Sequence, residues 1–288
     1  MRVHLIDGTY ELFRQHFGRP DPGPFGATVG VAASTLALIE DDATHIAIAS
    51  DHVIESFRND LWPGYKTSAG MPPELLTQIP AMEELLDALG FTVWAMVEYE
   101  ADDALAAAAA VAEAHADVDR VLICTPDKDL GQCVGGKVLQ FDRRKGEVLD
   151  AAGVTAKFGV PPESIPDYLG LVGDAADGFP GLPGWGAKSA AAVLARYGHL
   201  ENIPAAAGQW DVPGLRGAAK LAATLQAQFA DAVLFRRIAT VEREVAVGTV
   251  ESWRWTGPKP GAAEVADRYD ARRVYSKAVT LAAARGLR

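Results

Sequence analysis

The chain has 288 residues, 49% of them hydrophobic, and a formal net charge of −11. That is ordinary globular composition, with length for one large domain or two smaller ones, each with a proper core. Two cysteines, Cys124 and Cys133, are too few for a disulfide scaffold and lack partners at zinc-ligand spacing, which suits a reducing cytosol. The acidic balance argues against a nucleic-acid footprint spread over the whole surface. It is unevenly distributed, however: residues 253–288 carry eight Lys/Arg against three Asp/Glu. Arg2 leads straight into a short apolar run, not a long signal-peptide core, and the most apolar helix, Ala104 to Ala112, has acidic flanks and is too short to span a bilayer.

Taken in order, Arg2 to Ile6 reads as a strand ending in Asp7-Gly8, followed by a helix with Phe13, Arg14 and Phe17. A Pro/Gly stretch from Pro20 to Gly26 precedes a second helix over about Ala27 to Ile39. His45 to Ser50 is the next strand and ends in Asp51. Residues 56–72 are polar, with Arg58 and Lys66 and little periodicity. Leu75, Leu76, Ile79, Met82 and Leu86 then recur at helical spacing, which predicts one amphipathic helix from Pro73 to Leu89. Phe91 to Val97 is a third strand. It leads into Glu100-Ala101-Asp102-Asp103 and a long alanine-rich helix to His115. Arg120 to Thr125 is a fourth, ending in Pro126-Asp127-Lys128-Asp129.

Apolar strands alternating with helices predict an α/β fold with a mostly parallel sheet covered on both faces. Asp7, Asp51, Glu100 and Asp127 each stand just past the carboxyl end of a strand, along the edge where such sheets form ligand sites. A single acid there is usually a helix cap. Three in residues 100–103 repel one another unless a cation neutralises them. Oxygen ligands in this number suit Mg²⁺ or Mn²⁺ and not zinc, and the six histidines form no spaced cluster. No nucleophilic Ser or Cys motif, P-loop or GxGxxG appears. Carboxylates holding two divalent ions are the arrangement for phosphodiester cleavage.

The second half adds Asp174 and Asp177, then GLPGWGAKS (181–189) and a helix to Arg196. Glycine turns between helices bring a backbone close to something bulky, and the N–H groups of Gly184 and Gly186 at the start of the Lys188 helix would make a phosphate or cation seat.

Five stretches, LIDGTYELFR (5–14), SDHVIESFRNDLWPGYK (50–66), YEADDALA (99–106), ICTPDKDLGQ (123–132) and GLVGDAADGFPGLPGWGAKSA (170–190), resemble the 5′ nuclease family: flap endonucleases and the 5′→3′ exonuclease domain of bacterial DNA polymerase I. They fall in family order over about residues 3–250. With no polymerase domain following, the chain looks like the stand-alone bacterial members. The resemblance implies a PIN-like core with a helical arch (about 56–90) in residues 1–168. Residues 169–288 would form a helix–three-turn–helix (helix-hairpin-helix) module and C-terminal helices.

It also implies metal ligands at Asp7, Asp51, Glu100, Asp102, Asp103, Asp127, Asp129, Asp174 and Asp177, for two or more ions of Mg²⁺ or Mn²⁺. Arg58 and Lys66 match basic residues that hold the scissile phosphate, and Arg14 matches a residue near the same rim. Gly181, Gly184, Gly186, Lys188 and Ser189 match the duplex-binding turn, whose backbone holds K⁺ in relatives. The implied substrate is duplex DNA with a 5′ flap, nick or overhang, or an RNA–DNA hybrid. The implied setting is a monomer in the bacterial cytoplasm, associated with the nucleoid and with no membrane contact. The sequence departs from the family pattern at Ala69, where relatives usually carry Arg, and at Gly178, where Asn is common. A PIN-type ribonuclease on single-stranded RNA would share the acids but not the glycine hairpin. A DNA-binding scaffold without activity is opposed by the complete acid set. The basic tail (Arg268, Arg272, Arg273, Lys277, Arg285, Arg288) fits either phosphate contacts or a solvated helix face.

Overall fold

The computed structural model describes residues 1–18 and 23–287; Pro20 to Pro22 of the Pro/Gly stretch and Arg288 of the tail lie outside the described residues. The elements run β1 (Arg2–Asp7), α1 (Gly8–Phe17), α2 (Gly26–Glu40), β2 (His45–Asp51), α3 (Phe57–Leu61), α4 (Pro73–Leu76), α5 (Gln78–Ala88), β3 (Thr92–Met96), α6 (Ala101–Ala114) and β4 (Arg120–Cys124). They continue with β5 (Val138–Asp142), β6 (Glu147–Leu149), α7 (Ala151–Phe158), α8 (Ile165–Val172), α9 (Ala187–Tyr197), α10 (Ala218–Ala227), α11 (Phe229–Ala239), α12 (Ala262–Arg268) and α13 (Arg272–Ala284). The chain divides into two compact units. The first comprises Met1–Ile54, Ser68–Thr125 and Glu242–Arg288, and the second Glu55–Thr67 and Pro126–Val241.

In the first unit, β3, β2, β1 and β4 lie side by side in that order, all parallel. Every residue of β2 is buried, as expected of a strand covered on both faces. One cover is α6. Its Ala104, Ala107 and Ala108 are fully buried, and such small side chains let the helix sit close to the strands. The other cover includes α1 and α5. A Cβ on Gly8 would lie 2.7 Å from Ile48 Cγ2 and 2.8 Å from Ala49 O, so glycine is what permits α1 to leave β1 at this point.

The predicted helix over Pro73 to Leu89 is two helices. Continued through Thr77, it would have placed the Pro80 ring against the Leu76 carbonyl and left that carbonyl without a donor. Starting afresh at Gln78 puts Pro80 in the first turn, where no intrahelical N–H is required. The stretch expected as the arch is divided: α3 belongs to the second unit, α4 and α5 to the first.

The expected division at 168/169 also differs from the compact units, because residues 242–288 pack on the first one. Trp253 is fully buried, donates Nε1–H to Val247 O at 2.7 Å and meets Trp94 edge-on at 5.5 Å. Trp255 stacks on Phe91 at 5.9 Å and donates to Leu89 O. Several tail cations are paired within the same unit: Arg268 with Glu84, Arg272 with Asp267, Lys277 with Glu40, and Arg285 with the Ala43 and Ile39 carbonyls. Arg273 is exposed. Among the described residues no helix is long and apolar enough to cross a membrane.

The second unit carries the antiparallel hairpin β5–β6 and a helical core built on Ile165, Leu169, Phe179, Leu194 and Phe235.

Gly90 joins α5 to β3 with φ +86°, and a Cβ there would fall 1.9 Å from Gly257 O of the C-terminal segment. Gly90→Ala is expected to cost about 1–3 kcal/mol from backbone strain alone, with the collision added. The measurement is the urea unfolding midpoint; an unchanged midpoint would contradict this packing.

Candidate metal centre

In the first unit the acids are fixed by backbone and hydroxyl donors. Asp7 ends β1 and caps α1: Oδ1 accepts Tyr10 N–H at 2.8 Å, and Oδ2 accepts the Thr125 hydroxyl at 2.8 Å. Asp51 ends β2. Its N–H donates to Thr9 Oγ1 and its Oδ1 accepts Ala101 N–H, each at 2.8 Å. Glu100 is the N-cap of α6 and is buried, and Asp102 in the first turn is half-buried. A helix N-terminus favours such charges.

Asp103 is also fixed by backbone donors. It is fully buried, with Oδ2 accepting Glu100 N–H at 2.9 Å and Oδ1 accepting Glu242 N–H at 2.8 Å. Both oxygens therefore clamp backbone.

In the second unit the structure brings three of the predicted ligands together. One carboxylate oxygen each from Asp129, Asp174 and Asp177 lies within 4.8 Å of the others. Glycine geometry makes this possible. Asp174 and Phe179 exchange backbone hydrogen bonds of 2.8 and 3.0 Å, closing the loop that carries both acids. At its base Gly173 and Gly181 have φ of +78° and +67°, and a Cβ on Gly181 would lie 2.3 Å from Gly173 N. Gly178, where relatives have Asn, has φ +82°, and a Cβ there would meet Gly64 O at 2.1 Å. That close approach requires glycine on this backbone.

Asp127 sets the neighbouring turn by accepting Asp129 N–H at 3.0 Å. Gln132 holds it from below, donating to Asp129 O at 2.7 Å and Ala239 O at 2.9 Å while accepting Val241 N–H.

At effective protein dielectric, carboxylates this close repel by about 3 kcal/mol per pair. Two lysines answer them: Lys66 Nζ reaches Asp177 Oδ1 at 3.0 Å and Lys128 Nζ reaches Asp174 Oδ2 at 2.6 Å. Burial pulls the Lys128 pKa down, but the hydrogen bond and charge of Asp174, with Asp129 and Asp127, carry it above the usual lysine value. Two ammonium groups against Asp127, Asp129, Asp174 and Asp177 leave the cluster negative. Its most confined member is Asp129. Burial, then the charges of Asp127, Asp177 and Asp174, hold its carboxyl well above the normal carboxylate range. Asp129 Oδ1 is buried with no hydrogen-bond partner. An orphaned buried carboxylate oxygen within an all-oxygen, net-negative group fits a hard divalent cation.

One of the predicted basic residues is not placed to meet phosphate. Arg58 is 2% exposed. Its Nε donates to Ile238 O at 2.8 Å and Nη2 to Thr240 O at 3.1 Å, and its guanidinium lies 4.7 Å over Phe57. It thus caps the carbonyl end of α11, where the helix dipole favours a cation, and its guanidinium does not face solvent phosphate. Arg14 pairs with the buried Glu11 at 2.5 Å.

At the glycine turn, Gly184 has φ +85° and open space around its Cα. The Gly186 N–H, expected to point outward, is bound by Ser189 Oγ at 3.1 Å. A shallow cavity of about 610 Å³ is lined there by Gly184, Gly186, Lys188, Ser189, Pro213 and Arg216. Lys128, Thr125, Gln132 and Arg216 were not assigned from sequence. Of these only Lys128, standing between two predicted ligands, carried a local signal.

Residues 2–159 match the family described as 5′-3′ exonuclease, N-terminal resolvase-like domain, and residues 160–261 match 5′-3′ exonuclease, C-terminal SAM fold. The chain belongs to the 5′-3′ exonuclease family. This is a family of nucleases, and it accounts for the pairing of a resolvase-like α/β half with a SAM-like helical half. The 5′-3′ exonuclease of Aquifex aeolicus (strain VF5) is 34% identical over 209 residues, covering 70% of this chain and 71% of that protein. DNA polymerase I of Mycobacterium tuberculosis (strain ATCC 25618 / H37Rv) is 34% identical over 254 residues, 84% of this chain. The chain spans only 27% of that polymerase's length. Among solved structures, the T5 D15 protein co-crystallised with metal ions superposes with a TM-score of 0.68 at 19% identity, covering 96% of this chain and 100% of that one. The catalytic core of Rad2 in complex with DNA substrate gives 0.64 at 16% identity, covering 97% and 92%. These two likenesses show the fold.

The raised Asp129 pKa links cation binding to pH. A divalent ion needs the carboxylate, so binding releases the proton that Asp129 retains above the ordinary range, and affinity falls as pH drops through the raised value. Mn²⁺ titrations of this exonuclease-family chain at pH 5.5 and 7.5 are expected to show tighter binding at the higher pH, with the difference reduced in Asp129→Asn. Equal affinity at both pH values would contradict the assignment.

Proposed function

We propose that the chain is a divalent-metal-dependent 5′ nuclease that hydrolyses a phosphodiester near a 5′ end or flap junction of duplex DNA. The observation that carries this is the Asp129–Asp174–Asp177 group with its orphaned Asp129 oxygen, on the fold of an exonuclease family. Asp129, Asp174 and Asp177, with Asp127, would hold one ion, and Asp7, Asp51, Glu100 and Asp102 another. Such ions lower the pKa of water and neutralise charge that builds on phosphate oxygens. Mg²⁺ or Mn²⁺ is the natural choice for all-oxygen donors.

The chain's own residues supply the rest. Thr125 and the α6 backbone fix the Asp7 and Asp51 carboxylates before substrate arrives, and Thr9 fixes the Asp51 main chain. Such preorganisation removes reorganisation cost from the reaction. Lys66 and Lys128, held on Asp177 and Asp174, are the cations next to the cluster and would take phosphate oxygens. Arg58 serves as an internal clamp, and Asp103 holds backbone beside the other acids of α6.

The turn at Gly181, Gly184, Gly186, Lys188 and Ser189, with Arg216, would seat duplex phosphate, and its backbone would seat K⁺. T5 D15 flap endonuclease is described in a product complex with DNA and metal ions, and Rad2 with DNA substrate. Those complexes support DNA as the substrate here; we take a duplex with a 5′ flap, nick or overhang as its form, with RNA–DNA hybrids as a second class. We take the active form to be a monomer. Its setting would be the bacterial cytoplasm at the nucleoid.

Asp174→Ala is the direct test. It is expected to lower single-turnover cleavage of a labelled 5′-flap duplex in Mg²⁺ by about a thousand-fold or more, since each ion contributes several kcal/mol. The fold should be retained by circular dichroism, and EDTA should silence the wild type. Wild-type cleavage by Asp174→Ala would defeat the assignment. Cleavage of single-stranded RNA in preference to the flap would overturn the substrate class.

A further inference from the structure

A cluster outside the ligand set stands directly behind one of its members. Glu83, on α5, is 9% exposed, and its two carboxylate oxygens take different partners. Ser50 Oγ donates to Oε1 at 2.6 Å, and His52 Nδ1 lies 2.7 Å from Oε2. A carboxylate only accepts, so the proton of the second bond sits on His52 Nδ1. Ser50 and His52 are the residues on either side of Asp51.

Alternation along β2 sends the side chains of Ser50 and Asp51 to opposite faces, and His52, just past the strand end, turns its N–H back onto Ser50 O at 3.1 Å. The contacts agree: Glu83 of α5 lies on the face of Ser50 and His52, while Asp51 accepts from Ala101 at the start of α6. Ser50 is fully buried, and Asp51 N–H is tied to Thr9 Oγ1. We propose that Glu83 is a positioning residue: it grips both chain neighbours of Asp51 from behind and so fixes the direction in which the Asp51 carboxylate is presented to its cation.

Among the described residues, the Glu83 carboxylate makes no hydrogen bond other than those to Ser50 and His52. Its neighbours on α5, Met82 and Leu86, are apolar and fully buried, so an apolar residue would pack there at lower desolvation cost. A Glu with each oxygen bonded to one flank of a ligand has a physical reason to be present, since groups that orient ligands tune metal affinity. The inference rests on the reading of Asp51 as a metal ligand, and the experiment separates the two.

Mn²⁺ binding to the full-length protein is measured from the EPR signal of free ion in wild type, Asp51→Asn, Glu83→Ala, Glu83→Gln and the double variant Ser50→Ala/His52→Ala, with thermal unfolding in EDTA alongside. Asp51→Asn is expected to remove one class of Mn²⁺ binding. Glu83→Ala should weaken that same class by about ten- to a hundred-fold and leave the remaining class unchanged. The double variant, which keeps Glu83 and removes both arms, should behave like Glu83→Ala. Glu83→Gln, with a hydrogen-bonding head of the same shape, should lose less. If Glu83→Ala does not fold, the double variant decides. A lowered Tm with wild-type Mn²⁺ affinity in these variants would make Glu83 merely structural and overturn the proposal. If Asp51→Asn itself binds Mn²⁺ like wild type, the ligand reading fails and the inference with it.

Discussion

Repulsion among the carboxylates of Asp129, Asp174 and Asp177 is the constraint on which the rest of the second unit turns. Three negative groups within 4.8 Å, one with a buried oxygen that nothing bonds, do not assemble by preference. They are held by covalent geometry and backbone hydrogen bonds: the crossing of Gly173 and Gly181, the Asp174–Phe179 exchange, and the Gln132 brace. Lys66 and Lys128 relieve part of the charge. The residual negative potential is the property that selects a divalent cation, so the same feature that costs stability confers the chemistry.

The first unit solves a related problem with different means. Parallel strands end together, and each helix that leaves a strand end offers free N–H groups. Asp7 and Asp51 accept such groups and are thereby locked, and Thr125 reaches Asp7 from the end of β4. The helices can approach because Gly8 and the alanine face of α6 have nothing that stands in the way. Orientation of the acids and packing of the core therefore draw on the same small residues.

Much of this was legible in the sequence. Buried parallel strands need unbroken apolar runs, so Arg2 to Ile6, His45 to Ser50 and Arg120 to Thr125 announced themselves, and the acids after them followed from the ends of the strands. Where the reading went astray, the deciding partner was far away in the chain. Arg58 has the charge expected of a phosphate contact, but only the fold shows that its guanidinium ends on carbonyls about 180 residues later. Asp103 has a backbone partner, Glu242 N–H, that lies about 140 residues away and that no local pattern announces. Gly186 offered an N–H that Ser189 takes. Local chemistry should have revealed one miss, the break in the helix before Pro80. Composition gave no sign that Trp253 and Trp255 bind the tail into the first unit, because aromatic pairing with Trp94 and Phe91 is a property of tertiary contact.

The central claim is that the buried Asp129 oxygen and its neighbours form a cation site. Anomalous diffraction from crystals soaked in Mn²⁺ addresses it without reference to turnover. The account predicts a strong anomalous peak within about 2.5 Å of Asp129 Oδ1, shared with Asp174 or Asp177. A fully soaked crystal with no peak at these carboxylates, and ions only elsewhere on the surface, would contradict it.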